Sequence, residues 1–393
     1  MTNVYGTIPD KEIEERTKNL AHHLRENRLD AALLLSMQEI YYYSGIGLEG
    51  AVYITSDGNS TYLVKRNTAL AKSYSPINDI RDYGRQSKMF QELEVPSESR
   101  IGIEDDIVPY SFLQYLKTKA APSELYGASH IFRNIRAVKS PFEISQIQSA
   151  AELIDEMMQY CATIVKPDMS EIELVSHLDS WLLNNGHAGA ITTRGFNSGM
   201  LHYSYVVSSD SSSLNSFFTP VSGQGLSLKY PYGPTRRKLG RNKPFIVDAC
   251  GNSNGYISDT TRTFVCGRLG SNKDLLDTLV TIKDFLLEEL VPGCDLGVLF
   301  SDIWKLADEL GVSEMFMGTT DNHVAFIGHG VGLELDEFPI LHAKGPTLES
   351  GNIIACEPKL VVPMQLVLGL EDTYHISESG PQLLTHAPDY FEV

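Results

Sequence analysis

The sequence predicts a two-domain α/β protein, and three observations support that fold class. The chain has 393 residues, 42% of them hydrophobic, so it is too long for one ordinary core and apolar enough for two. Helical and strand patterns alternate up to residue 136, as in a compact α/β unit. A strong helix-start signal then follows. We therefore predict one domain over residues 1–136 and a second over residues 137–393.

The N-terminal domain is predicted to begin with a helix, a buried strand and a hairpin. Residues 11–27 have the apolar spacing of an amphipathic helix, and the run AALLLS at 31–36 is typical of a strand buried in a parallel sheet. The segment AVYITSDGNSTYLV at 51–64 alternates as two strands, with a turn at residues 57–59.

The second domain is predicted to open with a long helix. Ser140 is a good N-cap, Pro141 fits the first helical position, and Glu143 stands where a capping box requires it. Apolar residues then recur at every third or fourth position, and the pair Lys166-Pro167 should end the helix.

The composition argues against two classes of partner and against export. A net charge of −18 opposes attraction to nucleic acid and to anionic membrane surfaces. The five cysteines lack CxxC spacing and are expected to be reduced thiols of a cytoplasmic protein. The N-terminus lacks the pattern of an export signal, and no apolar run reaches about 18 residues, so we predict no membrane span.

A pair of aspartates flanks a predicted β-turn in the segment FIVDACGNSNGYISDTTRTF. If the turn centres between Ser253 and Asn254, Asp248 and Asp259 face each other across the ladder. Directly opposed residues have Cβ atoms about 4.5–5.5 Å apart, and like charges at that separation are destabilising. A cation should therefore lie between the two carboxylates.

A pair of glutamates repeats this pattern near the C-terminus, in NIIACEPKLVVPMQLVLGLEDTYHI. Glu357 and Glu371 are equidistant from Met364, so a hairpin centred on that residue would bring them opposite each other.

The two acid pairs and one histidine form a candidate ligand set. Glycines on both sides of His329, in FIGHGVGLELDEFP, leave its ring uncrowded. Four carboxylates and an imidazole match two divalent ions about 3.5–4 Å apart, which create a bridging hydroxide and polarise a substrate oxygen. Carboxylate-rich donation favours manganese, with zinc, cobalt or iron as alternatives. A lone acidic hairpin would be interpreted as a surface pair, but the second pair and the histidine favour a metal site.

These residues carry a resemblance to a known family. Their order resembles the five-ligand signature of the pita-bread metallopeptidases, especially the Xaa-Pro aminopeptidase and prolidase branch, and VDACGNSNGYISDTTRTF is similar to that family's first metal strand pair. The N-terminal part resembles the smaller domain of aminopeptidase P and creatinase relatives. The resemblance implies a creatinase-like N-terminal α/β domain and a C-terminal pita-bread domain whose two α/β halves close around the metals. The implied metal ligands are Asp248, Asp259, His329, Glu357 and Glu371.

Three positions depart from the family pattern. Tyr232 replaces a substrate-contacting histidine, Asp336 replaces a second histidine seven residues after His329, and Gly369 replaces an arginine two residues before Glu371. Asp336 matters because an ionised aspartate cannot donate a hydrogen bond to a developing oxyanion. We predict that Tyr232 and Asp336 face the substrate as catalytic residues. Each has a structural alternative, since Tyr232 could pack as a loop aromatic and Asp336 could cap a turn.

Two further histidines fall outside the matched motif. His202 and His323 are therefore predicted to be structural or solvent-exposed.

Three functions from different classes are compatible with these residues. The first is hydrolysis of short peptides with proline in the second position, with Glu357 carrying a proton to the leaving nitrogen. The second is a non-peptidase enzyme of the same fold, a creatinase-like hydrolase or lyase on another small substrate, which would explain Tyr232 and Asp336. The third is a binding protein on the same scaffold, ranked last because such relatives usually lack the ligands. The resemblance also implies a homodimer.

Overall fold

The computed structural model of the protein describes residues 6–195, 203–212, 219–319 and 322–393, which cluster into two compact units. The first unit runs to Arg136 and also includes Arg194 and Gly195, and the second contains the remaining described residues. None of the described helices combines the length and the apolar character that crossing a membrane requires.

The first unit is built on a six-stranded mixed sheet. Its strands are β1 (Ala31–Leu34), β2 (Gly50–Thr55), β3 (Ser60–Val64), β4 (Asp79–Asp82), β5 (Arg100–Ile103) and β6 (Glu124–Gly127). Its helices are α1 (Asp10–Glu26), α2 (Met37–Ser44), α3 (Thr68–Tyr74), α4 (Met89–Glu92), α5 (Tyr110–Ala120) and α6 (Ser129–Ala137).

The predicted N-terminal elements are confirmed. The strand order is β4-β3-β2-β1-β5-β6, and β1 is buried throughout because it pairs antiparallel with β2 and parallel with β5. The hairpin of β2 and β3 turns where Asp57, Gly58 and Asn59 were predicted to turn it, with Ile54 paired to Ser60.

The second unit contains four long helices and thirteen strands among its described residues. The helices are α7 (Pro141–Ile164), α8 (Glu171–Asn184), α9 (Asn272–Glu289) and α10 (Leu296–Glu309). The strands are β7 (Ser204–Ser208), β8 (Pro244–Ser253), β9 (Tyr256–Val265), β10 (Gly318–Thr319), β11 (Asn322–His323), β12 (Phe326–Gly330), β13 (Glu337–His342), β14 (Ile353–Cys356), β15 (Lys359–Val362), β16 (Leu366–Gly369), β17 (Asp372–Ser377), β18 (Gly380–Leu383) and β19 (Tyr390–Glu392).

The start of α7 confirms the predicted capping box. The Ser140 side chain accepts a hydrogen bond from the backbone N–H of Glu143, and the Glu143 side chain accepts one from the backbone N–H of Ser140. The helix ends at Ile164, before the proline that was expected to stop it.

Two layered α/β halves make up the second unit. In one half, α7 and α8 pack on the sheet β19-β9-β8-β7 through a core that includes Ile154, Leu178 and Val247. In the other, α9 and α10 contribute to the core beneath the sheet β13-β12-β14-β17-β18, where Ile282 and Ile303 are fully buried. The acid-bearing segments of the two halves are hydrogen-bonded to each other; for example, the backbone N–H of Glu371 donates to Thr261 O at 3.0 Å.

Candidate metal centre

The first acid-bearing hairpin turns one residue later than predicted. Ser253 pairs with Tyr256, so Asn254 and Gly255 are the two central turn residues, with φ values of 55° and 89°. A two-residue turn of type I′ requires positive φ at both central positions, and Asn-Gly adopts it most readily. The prediction of a turn centred between Ser253 and Asn254 was therefore wrong.

This register changes how the two aspartates face each other. Asp248 pairs with Thr261, and Asp259 pairs with Cys250, so the aspartates are diagonal neighbours instead of direct partners. Diagonal neighbours on one face are about 7–8 Å apart, which long side chains still bridge. The carboxylates can share a site without the close repulsion of a direct pair.

The second acid-bearing hairpin has the predicted register. The β14–β17 ladder and the β15–β16 ladder share one register, centred on Met364. Glu357 and Glu371 lie in the break between these two ladders, so neither is held within a regular strand. The predicted placement of the glutamates opposite each other is confirmed.

The structure brings His329 together with three of the four acids. Its Nε2 atom lies 3.8 Å from Asp259 Oδ2, 3.7 Å from Glu357 Oε1 and 3.8 Å from Glu371 Oε1. Two ligand atoms of one divalent ion, each about 2.1 Å from it, lie roughly 3 to 4 Å apart. Glu371 Oε1 is buried and has no hydrogen-bond partner among the described residues. The ligand atoms of His329, Asp259 and Glu371 all lie within 4.8 Å of one another and therefore have the spacing of donors to one ion, with Glu357 Oε1 beside the histidine.

A lysine that the sequence reasoning missed completes the cluster. Lys359 Nζ lies 2.6 Å from Glu357 Oε2, 3.1 Å from Asp248 Oδ2 and 3.2 Å from Glu371 Oε2, and its side chain is only 1% exposed. A signal for it was available, because strand periodicity places residues i and i+2 on one face. Lys359 follows Glu357 by two residues and therefore points to the same side.

The charges in the cluster depend on one another. Burial, reinforced by neighbouring carboxylates, raises the pKa of Asp259 and of Glu371 well above their ordinary values. Burial alone would lower the pKa of Lys359, but the charges of Asp248, Glu357 and Glu371 outweigh it and hold the pKa well above its usual value. The cluster therefore favours a charged lysine, and ionisation of Asp259 and Glu371 calls for further positive charge nearby.

Surrounding hydrogen bonds orient the acids. Thr261 Oγ1 donates to Glu371 Oε2 at 2.8 Å, and the backbone N–H of Asp259 donates to Thr373 Oγ1 at 3.1 Å. The Cys250 thiol lies 3.5 Å from Asp259 Oδ1, and its pKa is raised well above the ordinary value by burial and then by the nearby aspartates. Outer partners of this kind fix the orientation of metal ligands.

Tyr232 and Asp336, the two residues predicted to face the substrate, lie in irregular segments. Tyr232 is half-buried in the segment before β8, where its ring meets the Tyr230 ring edge-on with centroids 6.1 Å apart. Asp336 is half-buried in the turn before β13. The residue after it, Glu337, is buried and accepts a hydrogen bond from Lys139 Nζ at 3.1 Å, which anchors that turn. The catalytic roles of Tyr232 and Asp336 stay predictions.

The remaining histidines are only partly described. His323 lies in β11 and stacks on Trp304, with ring centroids 4.8 Å apart, as a structural histidine would. His202 lies outside the described residues.

Comparisons with known proteins cover nearly the whole chain. Residues 145–378 match the model of metallopeptidase family M24, and residues 16–138 match that of the creatinase/prolidase N-terminal domain. The Xaa-Pro dipeptidase of Pyrococcus horikoshii is 26% identical, over 95% of this chain and 97% of that protein. The Xaa-Pro dipeptidase of Pyrococcus furiosus is 23% identical, over 95% and 98%. The crystal structure of the prolidase from Pyrococcus horikoshii aligns with a TM-score of 0.80 at 24% identity, covering 95% of this chain and 99% of that one.

Proposed function

The chain belongs to metallopeptidase family M24, with a creatinase-type N-terminal domain and a C-terminal pita-bread domain, and from this premise we propose that it is an Xaa-Pro dipeptidase or aminopeptidase. Its substrates would be short peptides with proline in the second position. The observation that carries the proposal is the position of His329 Nε2, 3.7–3.8 Å from three carboxylate oxygens. Relatives of nearly the same length, named Xaa-Pro dipeptidases, support it.

The proposed ligands are five side chains of the second unit. A ligand set made mostly of carboxylate oxygens favours manganese, with zinc, cobalt or iron as alternatives. When bound, divalent metal supplies Lewis-acid polarisation of the scissile carbonyl and lowers the pKa of the attacking water. We propose residues 137–393 as the catalytic domain and residues 1–136 as an accessory domain, because all five ligands lie in the former: Asp248, Asp259, His329, Glu357 and Glu371.

Glu357 is the proposed proton carrier. Its side chain is 5% exposed, and its two oxygens face different partners, one towards His329 and the other towards Lys359. A carboxylate in that position can take a proton from the attacking water and pass it to the leaving nitrogen. The hydrogen bond from Lys359, 2.6 Å long, fixes the Oε2 atom of this carboxylate.

Tyr232 and Asp336 are proposed to face the substrate. A tyrosine hydroxyl can donate a hydrogen bond to developing negative charge, whereas an ionised aspartate can only accept one. Oxyanion stabilisation by this pair should therefore be weaker than by two imidazoles.

The three positions that depart from the family pattern favour a second candidate function. Tyr232, Asp336 and Gly369 all differ from the peptidase pattern, so a creatinase-like hydrolase or lyase acting on another small substrate is the alternative.

A substrate screen tests both candidates. Manganese-loaded protein is assayed against Xaa-Pro dipeptides and tripeptides, against the same peptides with alanine in place of proline, and against creatine and related small amines. We expect hydrolysis that requires proline and is lost in Glu357→Gln, which keeps the size of the side chain but removes its basicity. Turnover of an amine with no peptide cleavage would support the second candidate and overturn the first.

We also propose a cytoplasmic homodimer. Its support is the resemblance stated above, the net charge of −18 and the five free cysteines. Light scattering at micromolar concentration tests the assembly, and a monomer mass would contradict it.

A further inference from the structure

Building on the proposed metal-dependent function, we infer that the Lys359 ammonium occupies one of two cation positions in the carboxylate cluster. The site would then bind one divalent ion beside a built-in ammonium, in place of the two ions predicted from the sequence.

The geometry divides the cluster into two halves. Glu357 and Glu371 each direct Oε1 towards His329 Nε2, at 3.7 and 3.8 Å, and Oε2 towards Lys359 Nζ, at 2.6 and 3.2 Å. Asp259 completes the half around His329, and Asp248 completes the half around Lys359. Both glutamates therefore bridge two positions that favour positive charge, and the ammonium already fills one of them.

The contacts of the ammonium resemble those of a bound cation. An ammonium has three donors, and Nζ meets three carboxylate oxygens from three different residues. A second divalent ion would have to approach the same oxygens to about 2.1 Å, which places it in the space that Nζ occupies. Such an ion could bind only if the lysine side chain, which is 1% exposed, left the cluster.

The neighbouring strand provides room for the lysine stem. Lys359 pairs with Gly369 across the β15–β16 ladder. A Cβ atom at residue 369 would lie 3.1 Å from Lys359 Cγ and 3.1 Å from Thr261 Cγ2. Gly369 is not among the residues with positive φ, so its backbone conformation does not require glycine. The lysine stem is therefore one of three side chains, with Thr261 and Ile246, that leave little room for a Cβ atom at residue 369.

The charges agree with this assignment. One divalent ion and the ammonium carry +3 against the −4 of the four carboxylates, whereas two ions and the ammonium carry +5, an excess that only a bound anion such as a bridging hydroxide would offset. Partial neutralisation by Lys359 also weakens the attraction that a second ion would experience at Asp248, the acid farthest from the His329 half.

Metal stoichiometry tests the inference without reference to catalysis. Protein is saturated with manganese, freed of loosely held ions and measured by elemental analysis, with an electron paramagnetic resonance spectrum to separate isolated ions from pairs about 3.5–4 Å apart. We expect about one ion per chain in the wild type and about two in Lys359→Met, because the freed oxygens then match the two-ion arrangement. Lys359→Gln serves as a second variant in case the first does not fold.

A matched control is available in the same unit. Lys139 is also fully buried and ion-paired, in this case with Glu337, so Lys139→Met removes a comparable ammonium outside the cluster. We expect it to leave the stoichiometry at one ion. Two coupled ions in the wild type would overturn the inference and make Lys359 a substitute for the family's arginine at residue 369. A single ion in both Lys359 variants would overturn it as well. Failure to cleave peptides would leave the metal count unchanged and would refute the proposed function alone.

Discussion

Removing the Arg262 guanidinium should destabilise the second unit strongly. Arg262 is 1% exposed and Asp372 is fully buried, and the two are joined by an Nη2–Oδ1 contact of 2.5 Å. The guanidinium also donates to three backbone carbonyls, those of Thr261, Glu371 and Ala387, at 3.0, 2.6 and 3.1 Å. Arg262→Met would remove one hydrogen bond from each of these carbonyls, of which Thr261 O keeps the backbone N–H of Glu371. It would leave Asp372 with Lys283 as its remaining cationic neighbour, at 3.3 Å.

The expected loss follows from the burial of the pair. Breaking a buried ion pair by removing one partner costs about 3–5 kcal/mol, against a total stability of about 5–15 kcal/mol for an ordinary domain. Lys283 keeps part of the charge balance, and the three carbonyls each lose a hydrogen bond. We therefore expect Arg262→Met to lie in the upper part of that range.

Urea unfolding followed by circular dichroism and tryptophan fluorescence measures the change. Coincidence of the two signals must be checked first, because the two units can unfold separately. Arg268→Met is the matched control, since Arg268 also pairs with an acid, Glu392, but is 82% exposed, and exposed pairs contribute little. A loss for Arg262→Met below about 1 kcal/mol, or equal to that of the control, would refute the reasoning.

Three further predictions concern acid sensitivity, metal affinity and turnover. Burial alone would raise the pKa of Asp372, but its two cationic partners hold it below the ordinary value, so its stabilisation is complete above about pH 4 and is lost as the pH falls through the folded-state pKa. Thermal unfolding from pH 6 to pH 3 should show this loss, and Asp372→Asn should flatten it. Thr261→Val removes the hydrogen bond to Glu371 Oε2 and should weaken manganese binding by about 10- to 100-fold in calorimetry; unchanged affinity would contradict that role. Asp336→His combined with Tyr232→His should raise turnover of Xaa-Pro peptides, because one donor to a developing oxyanion is worth about 10²–10³ in rate, and a lower rate would show that the present residues already assist catalysis.

Local signals predicted much of the fold. The capping box at Ser140 and Glu143 depends on residues three apart, and the structure has both of its hydrogen bonds. The glutamate hairpin was predicted correctly because its register follows from symmetry about Met364. The predicted turn of the aspartate hairpin was one residue too early, because two adjacent residue pairs, Ser-Asn and Asn-Gly, can both form a turn. Only Asn-Gly suits positive φ at both central positions.

Side-chain contacts between residues far apart in the chain could not be predicted from the sequence. Lys359 was visible as a charged residue in an apolar strand, but its meeting with Asp248 depends on how β15 approaches β8, which no local pattern encodes. The same holds for Arg262 and Asp372, which are 110 residues apart in the chain. Two of these residues neighbour a candidate ligand in sequence, since Lys359 is two residues after Glu357 and Asp372 directly follows Glu371. Charged residues beside recognised ligands are therefore the positions at which a sequence-based site prediction should be extended.

The closeness of Lys359 to the glutamates along the chain has a consequence for how the cluster assembles. Glu357, Lys359 and Glu371 all belong to the segment that folds back at Met364, so this acid pair meets its counter-charge through short loop closure. A metal ion must be captured from solution and can be withdrawn by a chelator, whereas a tethered ammonium is present at a fixed effective concentration. The two glutamates thus keep the Lys359 ammonium as a counter-charge at every metal concentration, and metal starvation would remove only part of the positive charge that balances them.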